Sequence, residues 1–167
     1  MGGESNLDMN YEEEKVFSDV WQRISKGHTT ESAYSQDDGA VLAELIKSEK
    51  ENYLFYRSAC RLGGSCASLF SSLAETSRKR LGRLQTFHFL IFGNNCTVNA
   101  GAFSSASIGT LSTLRQAYWR ENKTASNLIS AAMSISKGKF NSFGAEFARQ
   151  AAKNAEHIIQ VIDRIMK

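Results

Sequence analysis

Proline is absent from the 167-residue chain, so no position lacks a backbone donor and nothing in the sequence forbids long helices. Cysteine is scarce. Cys60, Cys66 and Cys96 are odd in number and form no Cys-x-x-Cys pair, which argues against a disulfide framework and against a cysteine-ligated zinc or iron site. They read as reduced, structural thiols. Long apolar runs are also lacking: no stretch approaches the roughly 18 residues that a membrane helix needs. Acids stand near the N-terminus where a signal peptide would carry lysines and an apolar stretch. The expectation is a cytoplasmic protein with no membrane partner.

What is present points to helices. Glycines gather at Gly63-Gly64, Gly93, Gly101 and Gly109, between the periodic stretches. At this length one core suffices, burying roughly two-thirds of the surface that the unfolded chain exposes. The net charge of +3 hides an asymmetry, because residues 1–38 hold nine acids and three bases whereas residues 39–167 hold eight acids and seventeen bases. Nucleic acid is an unfavoured partner for the basic part, since its Lys and Arg are spread over every segment and form no single stripe with exposed aromatics.

The chain divides into an acidic arm, 1–36, and a bundle, 37–167. The arm predicts one short helix, with Asn10 as N-cap and Glu12, Glu13 and Glu14 in its first turn, where the helix dipole favours acids. Val16, Phe17, Val20, Trp21 and Ile24 then share one side. A helix so short is marginal alone, so this stripe is expected to dock on the bundle or on a second subunit, giving a homo-oligomer, in the simplest case a dimer.

Four longer periodic segments follow, at 37–61, 65–92, 109–136 and 139–166. The first two are joined by Leu62-Gly63-Gly64 and the last two by Lys137-Gly138, lengths that make antiparallel hairpins. The connection between the second and third is different. Residues 94–108 are small and polar; extended, they reach about 50 Å, against about 38 Å for a 25-residue helix. That is enough to cross a bundle from end to end. The predicted fold is therefore all-α, an antiparallel four-helix bundle with one long crossover between the second and third helices, the connectivity of ferritin-like bundles.

The residues that face its core extend the likeness. In the first segment the inward face runs Leu42, Leu45, Glu49, Asn52, Tyr56, and ELIKSEKENYLFY resembles the first helix of rubrerythrins and their relatives, with Glu49 in a ligand position. In the third it runs Leu114, Ala117, Glu121, Leu128, and AYWREN resembles that family's third helix, with Glu121 as ligand. LFSSLAETSRKRLGRL and FARQAAKNAEHIIQVI are similar to the second and fourth helices. Di-iron bundles carry a Glu-x-x-His pair on each of those two helices. The matching positions here hold Ser77 and Arg80 on the second helix, and Asn154 and His157 on the fourth. The resemblance thus implies a degenerate di-iron site in which Glu49, Glu121 and His157 are the residual metal-ligand positions and Ser77, Arg80 and Asn154 are substituted ones. Glu75 and Glu156 are no replacements: each lies two residues from a ligand position, about 200° around the helix.

Buried carboxylates need compensation. Arg80 lies on the core face of the second helix, so an ion-pair network of Glu49, Glu121, Arg80 and His157 is expected in place of a metal, with iron or manganese as the alternative. His28 and His88 have no partner pattern, and Tyr53, Tyr56, Tyr118 and Trp119 read as packing. Ser77 near a histidine and an acid lacks any oxyanion-hole glycine and carries no hydrolytic expectation. Three functions stay open at this point. One is a ferritin-like structural or interaction module without catalytic residues. The second is a rubrerythrin-like peroxidase or ferroxidase with an atypical site. The third is a basic anion- or nucleic-acid-binding module.

Overall fold

A computed structural model describes residues 34–62, 64–99, 109–135 and 139–167. The expected N-terminal helix with its Val16 to Ile24 stripe, His28, the Lys137-Gly138 turn and most of the 94–108 connection lie outside the described residues. Those described belong to one compact unit, Tyr34–Lys167. Among them there are four long helices, α1 (Gln36–Ala59), α2 (Ala67–Phe92), α3 (Thr110–Ser134) and α4 (Lys139–Ile165), and no strand.

Local chemistry sets the helix ends. Ser35 caps α1: its side chain accepts from the Asp38 N–H at 3.1 Å while the Asp38 carboxylate accepts from the Ser35 N–H at 2.8 Å. This reciprocal box satisfies two donors that the helix start would otherwise leave free. The α1–α2 link is tighter than a plain loop, with 3-10 turns at Cys60–Leu62 and Gly64–Cys66. Gly64 has φ +72°, a left-handed conformation that a side chain would strain. Gly93 ends α2 in the same conformation, and its N–H donates to the Phe89 carbonyl.

Two apolar layers fix how the helices lie. At one end Phe55, Tyr56 and Ala59 from the end of α1 meet Leu69, Phe70 and Leu73 from the start of α2, Leu114 and Ala117 from the start of α3, and Ile158 near the end of α4. At the other, Leu42, Leu45 and Ile46 of α1 meet Leu84 of α2, Leu128, Ala131 and Ile135 of α3 and its C-cap, and Phe140, Phe147 and Ala148 of α4. Each fully buried Leu, Ile or Phe among them contributes about 1.5–3 kcal/mol. The end of α2 and the start of α3 therefore belong to opposite layers. Phe92, at the end of α2, lies over Gly39 of α1, where an added Cβ would come within 3.2 Å of its ring. A few residues later the Val98 carbonyl accepts from the Lys50 ammonium at 2.8 Å, eleven residues further along α1.

Between the two apolar layers the core turns polar. Glu49, Ser77, Arg80 and Glu121 are all buried at this middle level.

Candidate functional site: a buried ion cluster at mid-bundle

A residue every three or four positions on each helix must face the core, and at mid-height those residues are charged. Arg80 of α2 is 0% exposed, as is Glu121 of α3; Glu49 of α1 is 2% exposed. The guanidinium reaches both acids. Its Nε donates to Glu49 Oε1 at 3.0 Å, and Nη2 donates to Glu121 Oε1 at 3.2 Å, with Nη1 and Nη2 each 3.3 Å from Glu121 Oε2. Nη2 also lies 3.4 Å from Ser77 Oγ.

Glu121 has further donors. The Tyr56 hydroxyl donates to its Oε1 at 2.7 Å, and the Asn154 amide, from α4, donates to its Oε2 at 3.0 Å. All four helices thus converge on this carboxylate or its arginine. Beside it lies a second polar contact between α1 and α3, in which Asn52 donates to Thr124 Oγ1 at 2.9 Å and accepts from Arg120 at 3.1 Å. The Arg120 guanidinium lies over the Phe55 ring, 4.4 Å from its centre.

The two acids are not equivalent. Glu49 takes one hydrogen bond from Arg80 through Oε1, and its Oε2 is buried with no hydrogen-bond partner. Burial pushes its carboxyl up from 4.5 to about 7; the Arg80 charge opposes this and the Glu121 charge adds to it. Burial alone would lower Arg80, but the Glu49 and Glu121 carboxylates outweigh it and hold the guanidinium above its ordinary value. Tyr56 is pushed well up by burial and by the Glu121 charge, so it stays a neutral donor.

Ser77, Arg80, Glu49 and Glu121 come together as their spacing implies. His157 does not join them. It is exposed, and the large or small apolar α4 residues that reach the core are Phe140, Phe147, Ala148, Ala151, Ala155 and Ile158. Measured from fully buried Ala151, Asn154 lies about 60° around the helix and His157 about 120°. Asn154 thus touches the cluster from its edge while His157 faces water. The expected ion-pair network is corrected on this point: α4 supplies an amide, not an imidazole. Glu75 and Glu156 are exposed, Glu75 pairing with Arg78 at 2.8 Å. His88 is buried with Nδ1 3.2 Å from the Asn94 carbonyl, a structural contact.

Two further site residues, Tyr56 and Asn52, carry a faint signal in the sequence. Tyr56 lies seven residues from Glu49 on the same α1 face, and Asn52 lies between them; the hydroxyl of one and the amide of the other are the signal, hidden among apolar neighbours.

These side chains do not fit a metal pair. The space between the two carboxylates holds the Arg80 guanidinium, Asn154 presents its amide N–H to Glu121, and His157 is turned out. Among the described residues no group of three or more His, Cys, Asp or Glu side chains is placed to hold a metal ion. Cys60, Cys66 and Cys96 are free thiols, and burial raises Cys60 and Cys96 above the ordinary thiol range, away from reactive thiolate character. Among the described residues no helix is long and apolar enough to cross a membrane. Comparison of the chain with family models, with curated proteins and with solved structures finds no match.

Proposed function

We propose that the chain is a ferritin-like, rubrerythrin-related bundle in which an arginine has taken the place of the metals, and that it works as a non-catalytic structural or interaction protein. The observation that carries this reading is Arg80, fully buried and bonded to both Glu49 and Glu121. Two carboxylates from α1 and α3 that converge on a single buried cation have the layout of a metal site with a different occupant. In this reading the Glu-x-x-His positions are Ser77-x-x-Arg80 on α2 and Ala151-x-x-Asn154 on α4. The second pair lies three residues earlier than the sequence suggests. Ala151 is fully buried and Asn154 reaches Glu121, which supports that register.

The long crossover belongs to the same reading. Its support is that the end of α2 and the start of α3 sit in opposite apolar layers and that the chain has already returned along α1 by Val98. A cytoplasmic location and a dimer remain part of the proposal. The basic-module reading has no specific observation in its favour. The test is elemental analysis of protein purified without chelator, together with peroxidase and ferroxidase assays. Substoichiometric metal and no turnover above free iron are expected; two metals per chain, with turnover lost in Glu121→Ala, would promote the oxidoreductase reading.

A further inference from the structure

Arg80 leaves one part of the core's charge unmatched. Once Glu49 has released its proton, Glu49 and Glu121 bring two negative charges to the same buried level, the guanidinium facing them brings one positive charge, and Glu49 Oε2 has no hydrogen-bond partner. The remaining walls are neutral: Tyr56 and Asn154 both donate to Glu121, and Ser77 lies against Arg80. Cut back to Cβ, Arg80 would leave two buried carboxylates facing a cavity of arginine volume. A divalent cation matches their charge, hard cations prefer oxygen donors, and the emptied volume has room for the waters that complete their coordination.

We infer that the bundle core keeps a cation site that Arg80 fills from within, and that removing the guanidinium while leaving Glu49 and Glu121 converts it into a site for one divalent metal ion. This rests on the reading of the core given above. In the intact chain the consequence is exclusion: a tethered cation, already bonded to both acids, denies the site to metals from solution. The fold then needs no metal supply and the core is closed to metal chemistry. Arg80 is here a positioning residue for two acids, not a catalytic one.

The experiment uses the full chain and two variants, Arg80→Ala and Arg80→His, the second adding an imidazole donor at the same position. Each is titrated with Mn²⁺ and with Zn²⁺ by calorimetry and followed by circular dichroism on heating. The wild type should show no saturable core binding and an unchanged Tm. Both variants should bind about one ion per chain and melt several degrees higher with metal, and Glu49→Gln in either background should lower the affinity at least tenfold. If a variant is unfolded without metal, added metal should restore its helical signal, so loss of folding still gives an answer. The inference is overturned if neither variant binds or gains helix with metal, or if binding survives Glu49→Gln. The two readings fail separately. Stoichiometric metal in the wild type, lost in Glu49→Gln, contradicts the arginine-for-metal reading itself, whereas a metal-free wild type with two silent variants contradicts only this inference.

Discussion

Arg80 grips Glu121 with both terminal nitrogens and Glu49 with Nε, at 3.0 to 3.3 Å, in a buried part of the core. The two acids therefore have different shares of the same cation. Glu121 also accepts from Tyr56 and Asn154, whereas Glu49 is left with an unpaired oxygen. An ion pair of this kind is weak evidence for added stability, because desolvation offsets the attraction; breaking it by removing one partner is what costs most.

The asymmetry predicts unequal mutants. Glu121→Gln removes the charge that satisfies Arg80 and places an amide N–H against a tyrosine hydroxyl or an asparagine amide, both of which now donate. It should cost about 3–5 kcal/mol. Glu49→Gln leaves Arg80 paired one to one with Glu121 and should cost far less. Urea unfolding of both variants at pH 7 checks the order; equal costs would mean that the two acids share the arginine evenly.

Stability should fall as the solution becomes alkaline. The Glu49 carboxyl is raised from 4.5 to about 7, so between those values the folded chain holds a proton that the unfolded chain has released. With more protons bound in the native state, stability declines as pH rises. The contribution is fully present below about 4.5 and is lost as pH passes through about 7, with a span of about 3 kcal/mol. Besides burial, Arg80, Glu121 and Ser77 are the groups that set this balance. Glu49→Gln should flatten the decline between pH 5 and 8, measured as ΔG of unfolding against pH. A wild-type profile that is flat over this range would contradict the assignment.

Tyr56→Phe removes a 2.7 Å hydrogen bond to a buried carboxylate oxygen without changing the apolar packing of the ring. A hydrogen bond to a charged group is worth about 1.5–3 kcal/mol, and a loss of that size is expected in thermal or urea unfolding. A loss under about 0.5 kcal/mol would place Tyr56 among the packing aromatics.

His157→Ala should be nearly silent, within about 0.5 kcal/mol, because the side chain is exposed. A cost above about 2 kcal/mol would return His157 to the core.

Much of this was legible before the structure. The helices begin and end within about two residues of where periodicity places them, since the buried stripes Leu42–Leu45–Glu49–Asn52–Tyr56 and Leu114–Ala117–Glu121–Leu128 repeat at helical spacing with no proline to interrupt them. The pairing of Arg80 with both acids follows from charge balance, because an arginine on a core face must find carboxylates. The α4 register was not legible in the same way. Three alanines stand in its buried stripe, so Ala151 carries no chemical mark, and the only histidine on the helix draws attention to a position that faces water. Tyr56 was obscured for the opposite reason: a tyrosine on an apolar stripe looks like packing until the position of its hydroxyl is known. The capping box at Ser35 and Asp38 fits the sequence signature of a helix start, but it lies in a Ser- and Thr-rich stretch that reads equally well as linker.

In the function proposed for the chain, Arg80, buried and bonded to two carboxylates, stands where a ferritin-like core would hold metal. A double-mutant cycle between Arg80 and Glu121 tests it most directly, with Arg80→Ala, Glu121→Ala and the double variant unfolded in urea at pH 7. Arg80→Ala alone should cost about 3–5 kcal/mol, and the double variant much less than the sum of the singles, with a coupling of about 3 kcal/mol. A coupling within about 0.5 kcal/mol of zero would mean that the two side chains do not share the core, and the arginine-for-metal account would fall with it.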